Sequence, residues 1–125
     1  MGEDARRIRA IIGEPPQAVR QALSRHGVLR AGINLSNFLL VSSRTADGGP
    51  AGVSPDMAAI LAQCLDLPLR YVPYDSPGPL SDAAERDEWD VALVGAEPQR
   101  AAVIAFTPAY TEIEATYLVP AGSDL

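Results

Sequence analysis

Apolar and polar positions change period several times along this chain, and each change marks an element. Residues 28–35 (VLRAGINL) are a short, mostly apolar run of the kind that forms a buried strand. From Met57 the spacing turns helical, with Met57, Ile60, Leu61 and Cys64 recurring at intervals of three and four. Ser54-Pro55-Asp56 precedes that stripe, offering Ser54 as an N-cap and Asp56 as a first-turn acid, so a helix is predicted from Met57 to Leu65. Pro68 stops it, and Leu69 to Val72 reads as the second strand. Asp75-Ser76-Pro77-Gly78-Pro79 is a rigid turn at that strand's carboxyl end. A more polar helix, Leu80 to Asp87, leads to a third strand at Asp90, whose Val91–Val94 run is the pattern of a strand buried on both faces of a parallel sheet. A short helix from Pro98 to about Val103 follows. In the segment Thr111 to Pro120, Ile113, Ala115, Tyr117 and Val119 alternate as in an extended strand. Strands alternating with helices predict an α/β fold with a mainly parallel sheet flanked by helices.

Residues 1–27 stand apart from this alternation. Ala5 to Ile12 is a helix ended by Gly13, and Pro16 to Arg25 a second, with proline at its start and Gly27 at its end. They read as a helical appendage that packs on the main unit, 28–125, through Val19 and Leu23. Ser42 to Pro50, rich in Ser, Asp and Gly, is a loop or hairpin tip.

Composition narrows the function classes. A chain of 125 residues suits one domain with a proper core. The net charge of -6, with basic residues concentrated only in the N-terminal arginines Arg6, Arg7 and Arg9, argues against nucleic acid as a partner. Cys64 is the single cysteine, which excludes an internal disulfide, and its place on the apolar face of a helix makes it a buried structural thiol. Neither a secretory h-region nor a transmembrane-length stretch is present. As written, the chain would remain in the cytoplasm, or lie in the periplasm if a leader has been removed.

The run WDVALVGAEPQRAAVIAFTPAY, Trp89 to Tyr110, holds the candidate chemistry. Its strand ends at Gly95, where the backbone can turn and a ligand can approach. Pro98 suits a first-turn helical position, and an open α/β sheet binds ligands at the carboxyl ends of its strands. Arg100 is the only basic residue after Arg86, and its planar fork matches a carboxylate held by two parallel hydrogen bonds, although a solvated surface arginine has the same spacing. Catalytic and metal chemistry find little support. His26, the only histidine, sits at a helix end, where a capping or solvent role suits it. No Ser-His-Asp arrangement, metal-ligand spacing, Walker loop or dinucleotide fingerprint appears, so no cofactor or metal is expected. Asp82, Glu85, Asp87 and Glu88 cluster as a solvated helix face does, and Trp89 reads as a core or lobe-edge ring.

Three segments in order, LRAGINLSNF, GVSPDMAAILAQCLDLPLRYVPYD and WDVALVGAEPQRAAVIAFTPAY, resemble the family 3 extracellular solute-binding proteins, the amino-acid-binding proteins of ABC importers. The resemblance implies one lobe of a type II periplasmic binding protein, a fold in which two α/β lobes close on a ligand. By the same resemblance, Asn34 stands where the family has an aspartate after its first strand, and Asn37-Phe38 where it has a Pro-Phe pair beside the ligand. Asp56 matches an acidic residue that supports the helix start. Gly95 corresponds to the post-strand glycine and Arg100 to the carboxylate-binding arginine. The chain departs from the family between these two, where it is two residues shorter and lacks a ligand-binding threonine. Ala96-Glu97 occupies that loop, with Glu97 placed to meet a ligand amine or the helix dipole. Ser76 replaces the usual stacking aromatic, leaving Tyr74 as the nearest ring. The family's second lobe is absent, so a homodimer supplying the missing wall is one expectation. The resemblance implies a small polar solute as ligand, with an importer's membrane component as partner. A ligand-sensing module and a cyclohexadienyl dehydratase-like enzyme are the alternatives on the same fold.

Overall fold

The computed structural model describes residues 1–124. Helices α1 (Glu3–Ile12) and α2 (Gln17–Leu23) precede strand β1 (Leu29–Asn34), and a small antiparallel hairpin, β2 (Ser43–Arg44) and β3 (Pro50–Ala51), follows it. Helix α3 (Val53–Cys64), strand β4 (Leu69–Tyr74), helix α4 (Pro77–Asp82) and a 3-10 turn over Ala83–Arg86 come next. Strand β5 (Val91–Leu93) and the short helix α5 (Pro98–Ala101) complete the elements. The main sheet is wholly parallel in the order β4-β1-β5, so the chain is mixed α/β as its alternation predicts.

Strand β1 is the middle of this sheet and the most buried element. Leu29, Ala31 and Ile33 lie on one face and are fully buried, and Leu29 packs with Ala62 and Leu65 at the end of α3. The opposite face carries Arg30, Gly32 and Asn34. A Cβ on Gly32 would lie 3.2 Å from Trp89 Cδ1 and 3.2 Å from Ala92 Cβ, so the glycine is what lets the indole lie flat on the sheet. The indole nitrogen donates to the Leu80 carbonyl at 2.9 Å, which ties α4 to this second face. The crossovers from β1 to β4 and from β4 back to β5 run in opposite directions along the sheet, and the right-handed rule for such connections then puts α3 and α4 on opposite faces.

Several elements differ from their sequence expectation. Helix α3 begins at Val53, four residues earlier than predicted, and its N-cap is Gly52, not Ser54. Gly52 has φ 141°, and a Cβ there would lie 2.5 Å from the Leu40 carbonyl oxygen, so the chain enters the helix through a turn open to glycine alone. The buried stripe of α3 runs through Pro55, Ala58, Ala62 and Leu65, while Met57 and Leu61 of the expected stripe are exposed. Small residues win the sheet-facing positions because they allow a close helix–sheet approach. The turn expected over Asp75–Pro79 is already helix from Pro77, with proline at its tolerated first position. The polar helix expected over Leu80–Asp87 divides into α4 and the 3-10 turn, ending at Asp87 in a left-handed conformation. Strand β5 is half-buried on an edge, not enclosed on both faces. Thr111–Pro120 forms no strand, because no neighbouring strand pairs with it.

Residues 1–27 pack mainly through α1, not α2. Ala5 is buried, its carbonyl accepts from Cys64 Sγ at 3.7 Å, and Arg9 Nη1 donates to the Cys64 carbonyl at 2.9 Å. That places a guanidinium on the carbonyl end of α3, where the helix dipole favours a cation. From α2, Leu23 reaches the core as expected, while Val19 is exposed.

Candidate functional site

Parallel register brings three loops to one edge of the sheet. Asn34 pairs with Tyr74, and Ile33 with both Pro73 and Leu93, so the segments after β1, β4 and β5 all leave from the same carboxyl edge. The nine sequence-predicted site residues lie in these segments or at the strand ends that lead into them, as the general rule for open α/β sheets requires.

Their side chains are committed to different degrees. Asn34 Oδ1 accepts from the Ser36 amide at 3.0 Å and the Ser36 hydroxyl at 2.7 Å, which folds the post-β1 turn on itself. Asn37 Oδ1 accepts from the Leu39 and Leu40 amides, each at 3.3 Å. Only the amide NH2 groups of these two residues are left for a ligand. Phe38 is 77% exposed, a ring held out from the core. Tyr74 donates its hydroxyl to Glu88 Oε1 at 2.9 Å, and burial, reinforced by that bond, pushes its pKa up to about 12. Ser76 precedes α4 in an extended conformation and makes no side-chain cap.

Beyond β5 the geometry centres on Arg100. Its Nη1 donates to the Gly95 carbonyl at 2.9 Å and stands 3.5 Å from Glu97 Oε1, and the side chain is only 17% exposed. Helix α5 exists to hold this arginine: Pro98 suits its first position, and Ala101 N donates to Glu97 O at 2.9 Å. Gly95 has no left-handed backbone, so its value is the carbonyl offered to Arg100 and the absence of a side chain in front of it.

Arg100 and Glu97 also face a groove of about 570 Å3 between α5 and the α4–3-10 segment. Across from them stand Gly78, Ser81, Asp82 and Glu85. The sequence reading missed this groove, assigning Asp82 and Glu85 to a solvated face. The available signal was Pro77 as a helix start, which lines up 78, 81–82 and 85 on one side of the segment.

A second polar cluster lies toward the other end of β1. Arg30 is nearly buried and grips Asp90 with Nε at 3.2 Å and Nη2 at 2.9 Å, while Nη2 also donates to Asp87 Oδ1 at 2.9 Å. Burial pushes the Asp90 carboxyl up, but the Arg30 side-chain and backbone hydrogen bonds outweigh it and hold Asp90 below its usual range. Hydrogen bonds from Arg25 and then Arg30 hold Asp87 down at about 2. Asp87 is therefore part of an ion-pair cluster, not a solvated acid, and Glu88 likewise is taken by Tyr74 and by Arg86 at 2.7 Å. His26 joins the cluster at 3.5 Å from Asp87. Its ring and both carboxylates gather within 4.8 Å, a spacing a metal ion can use. Arg25 and Arg30 already bond Asp87 Oδ1, and Arg30 both Asp90 oxygens, so the carboxylates are balanced within an ion-pair cluster.

The pattern that defines the bacterial extracellular solute-binding proteins, family 3, matches residues 29–125. The chain belongs to that family. An ancestral cyclohexadienyl dehydratase, known from its crystal structure, superposes with a TM-score of 0.57 at 26% identity, over 66% of this chain and 34% of that one. Membrane-bound lytic murein transglycosylase F from Shewanella sp. (strain ANA-3) and from Shewanella oneidensis are each 39% identical over 51 residues, 41% of this chain and 11% of theirs. The chain thus spans about a third of the solved structure and a ninth of these transglycosylases. The β4-β1-β5 sheet with its flanking helices is part of one lobe of the periplasmic-binding fold, and family 3 membership makes a small-molecule solute the expected class of ligand.

Proposed function

We propose that this chain reversibly binds a small polar solute carrying a carboxylate, an amino acid or a related compound, as one lobe of a substrate-binding protein of the ABC-importer type. The observation behind this reading is Arg100, ordered by Gly95 and Glu97 at the edge where all three parallel strands end. Its other N–H groups, with no partner among the described residues, suit a carboxylate, and Glu97 suits the amine of the same ligand. The Asn34 and Asn37 amides, Ser76 and the backbone of Ala96 supply polar contacts, with Phe38 and Tyr74 on the apolar side. Binding involves no bond chemistry and calls for no cofactor. Residues 1–27 serve as the helical appendage and 28–125 as the lobe. The opposing wall comes from a second lobe or a second copy of the chain, and an importer's membrane component receives the closed form.

The test is a thermal-shift and calorimetric screen of amino acids and organic acids, repeated with Arg100→Ala and Arg100→Lys. Loss of the fork weakens a carboxylate ligand by about 1.5 to 3 kcal/mol, and lysine restores only part of it. Unchanged affinity in Arg100→Ala would remove the assigned site.

The likeness to a cyclohexadienyl dehydratase favours one other reading, an enzyme in which Glu97 moves a proton at the same edge. That reading requires a dehydratase rate that Glu97→Gln abolishes. The Shewanella matches, to a small part of much longer enzymes, favour a third, in which the lobe is a ligand-sensing module of a larger protein.

A further inference from the structure

Residues 1–27 are fastened to the lobe more by charge than by packing. Their apolar burial amounts to Ala5, and to Leu23 partly covered against Leu29, Ala62 and Leu65, while Ile8, Ile11, Ile12 and Val19 stay exposed and α2 buries none of its residues. Arginines make most of the remaining contacts. Arg9 donates to the Cys64 carbonyl at 2.9 Å and stands 3.6 Å from Asp66, which Arg20 also meets at 3.2 Å. Arg25 bonds Asp87 at 2.7 Å and stands 3.7 Å from Asp90, with His26 3.5 Å from Asp87. The Gly2 amide adds a bond to Gln63 Oε1 at 2.7 Å. Charge is divided to match. Five of the ten basic residues but only three of the sixteen acids lie in 1–27, which gives this segment +2 and residues 28–125 -8. The segment also lies outside the family 3 pattern, which starts at residue 29.

We propose that residues 1–27 form a charge-latched strap, which opens from the end of α3 as ionic strength rises while residues 28–125 stay folded. Pairs as exposed as Arg20–Asp66 and Arg25–Asp87 each contribute little and are screened by salt. A segment with so little buried apolar surface belongs to the low-stability end of local opening. Cys64 reports the event. It is buried, and its Sγ donates to the Ala5 carbonyl of α1 at 3.7 Å, so lifting α1 uncovers the thiol. Trp89, the only tryptophan, lies on the opposite face of the sheet and reports whether the lobe itself remains folded. The strap sits at the amino end of β1, away from the carboxyl edge that carries Arg100, so its opening leaves that edge in place.

Thiol labelling of the whole chain tests this, with the neutral reagent dithiodipyridine, so that salt acts on the protein and not on the probe, and with Trp89 fluorescence followed in the same samples. Raising salt from about 0.05 to about 1 M shortens the screening length from more than about 10 Å to about 3 Å, and Cys64 should then label at least about fivefold faster with no change in fluorescence. Arg20→Gln/Arg25→Gln, at positions solvent already reaches, should label at low salt about as fast as the unaltered chain does at high salt, and gain little more from salt. Labelling of the unaltered chain that is no faster at high salt overturns the latch, as does a salt response that persists in full in the double variant. An acceleration that comes only with loss of the Trp89 signal overturns it too, since the thiol is then reached by unfolding of the lobe.

Discussion

At the scale of single residues, two positions carry stability out of proportion to their size. Gly52 combines φ 141° with a Leu40 carbonyl oxygen 2.5 Å from where a Cβ would sit and a Ser42 amide nitrogen at 2.9 Å. Gly52→Ala must move backbone on both sides of the α3 entry, so urea denaturation should show a loss of about 1 to 3 kcal/mol. A smaller loss would mean that the loop over residues 40–42 relaxes freely. Asp90 is the second position. Its side chain is 1% exposed, and it accepts from the Arg30 guanidinium and from the Arg30 amide at 2.9 Å. Asp90→Ala leaves the nearly buried Arg30 guanidinium with Asp87 as its remaining partner and the Arg30 amide without its acceptor, and should cost about 1.5 to 3 kcal/mol. The paired replacement Arg30→Met with Asp90→Leu removes both charges together and should cost less than the single change. If the pair costs more than the single change, the ion pair contributes net stability beyond avoiding an orphaned charge.

Between elements, the clearest coupling joins the α2–β1 link to the turn before β5, through Asp87. Arg25, from the link, bonds it at 2.7 Å and Arg30 of β1 at 2.9 Å, lowering its pKa from 3.8 to about 2. A carboxyl lowered in the folded state stabilises fully above its ordinary pKa, and the contribution fades as pH falls from about 4 toward 2. Asp87→Asn should therefore flatten the acid limb of a stability-versus-pH curve in that window and leave its slope above pH 5 unchanged. An unaltered acid limb would assign acid sensitivity to other carboxyls, of which Asp90 and Glu88 are also lowered. The same elements show what the pattern of residues makes legible. The order of strands and helices, the buried Cys64 and the hairpin tip follow from period, proline and glycine, because those signals are local. The face of α3 does not, since Ala58 and Ala62 are weak hydrophobic markers beside Met57 and Leu61, yet they alone fit close to the sheet. Nor do the Arg30–Asp90 pair and the α4–α5 groove, which join residues distant in sequence. That the nine candidate residues gather at the carboxyl edge was legible, because register in a parallel sheet follows from topology. The commitments of Asn34, Asn37 and Tyr74 to their own surroundings were not.

For the molecule as a whole, contacts thin out sharply after Tyr110. The Tyr110 hydroxyl lies 2.8 Å from Ser54 Oγ at the start of α3, a side-chain bond that joins the C-terminal segment to the body of the fold. Beyond it Tyr117 is 93% exposed and Leu118 fully so, and no strand pairs with the alternating apolar residues of 111–119. Side chains in such positions contribute almost nothing to holding the folded state, because they are as wet there as in the unfolded chain. Their backbone is correspondingly open to proteases. Brief chymotrypsin treatment should cut first at Tyr117 or Leu118, and a chain ending at Tyr110 should unfold within about 0.5 kcal/mol of the full chain, as surface changes generally do. Truncation should also lessen self-association, since it removes exposed apolar side chains that attract one another. A loss above about 1 kcal/mol, or resistance at Tyr117 with cleavage elsewhere, would show that this segment packs on the lobe or on a second copy. In that case it, and not the sheet edge alone, would belong to the wall that closes over Arg100.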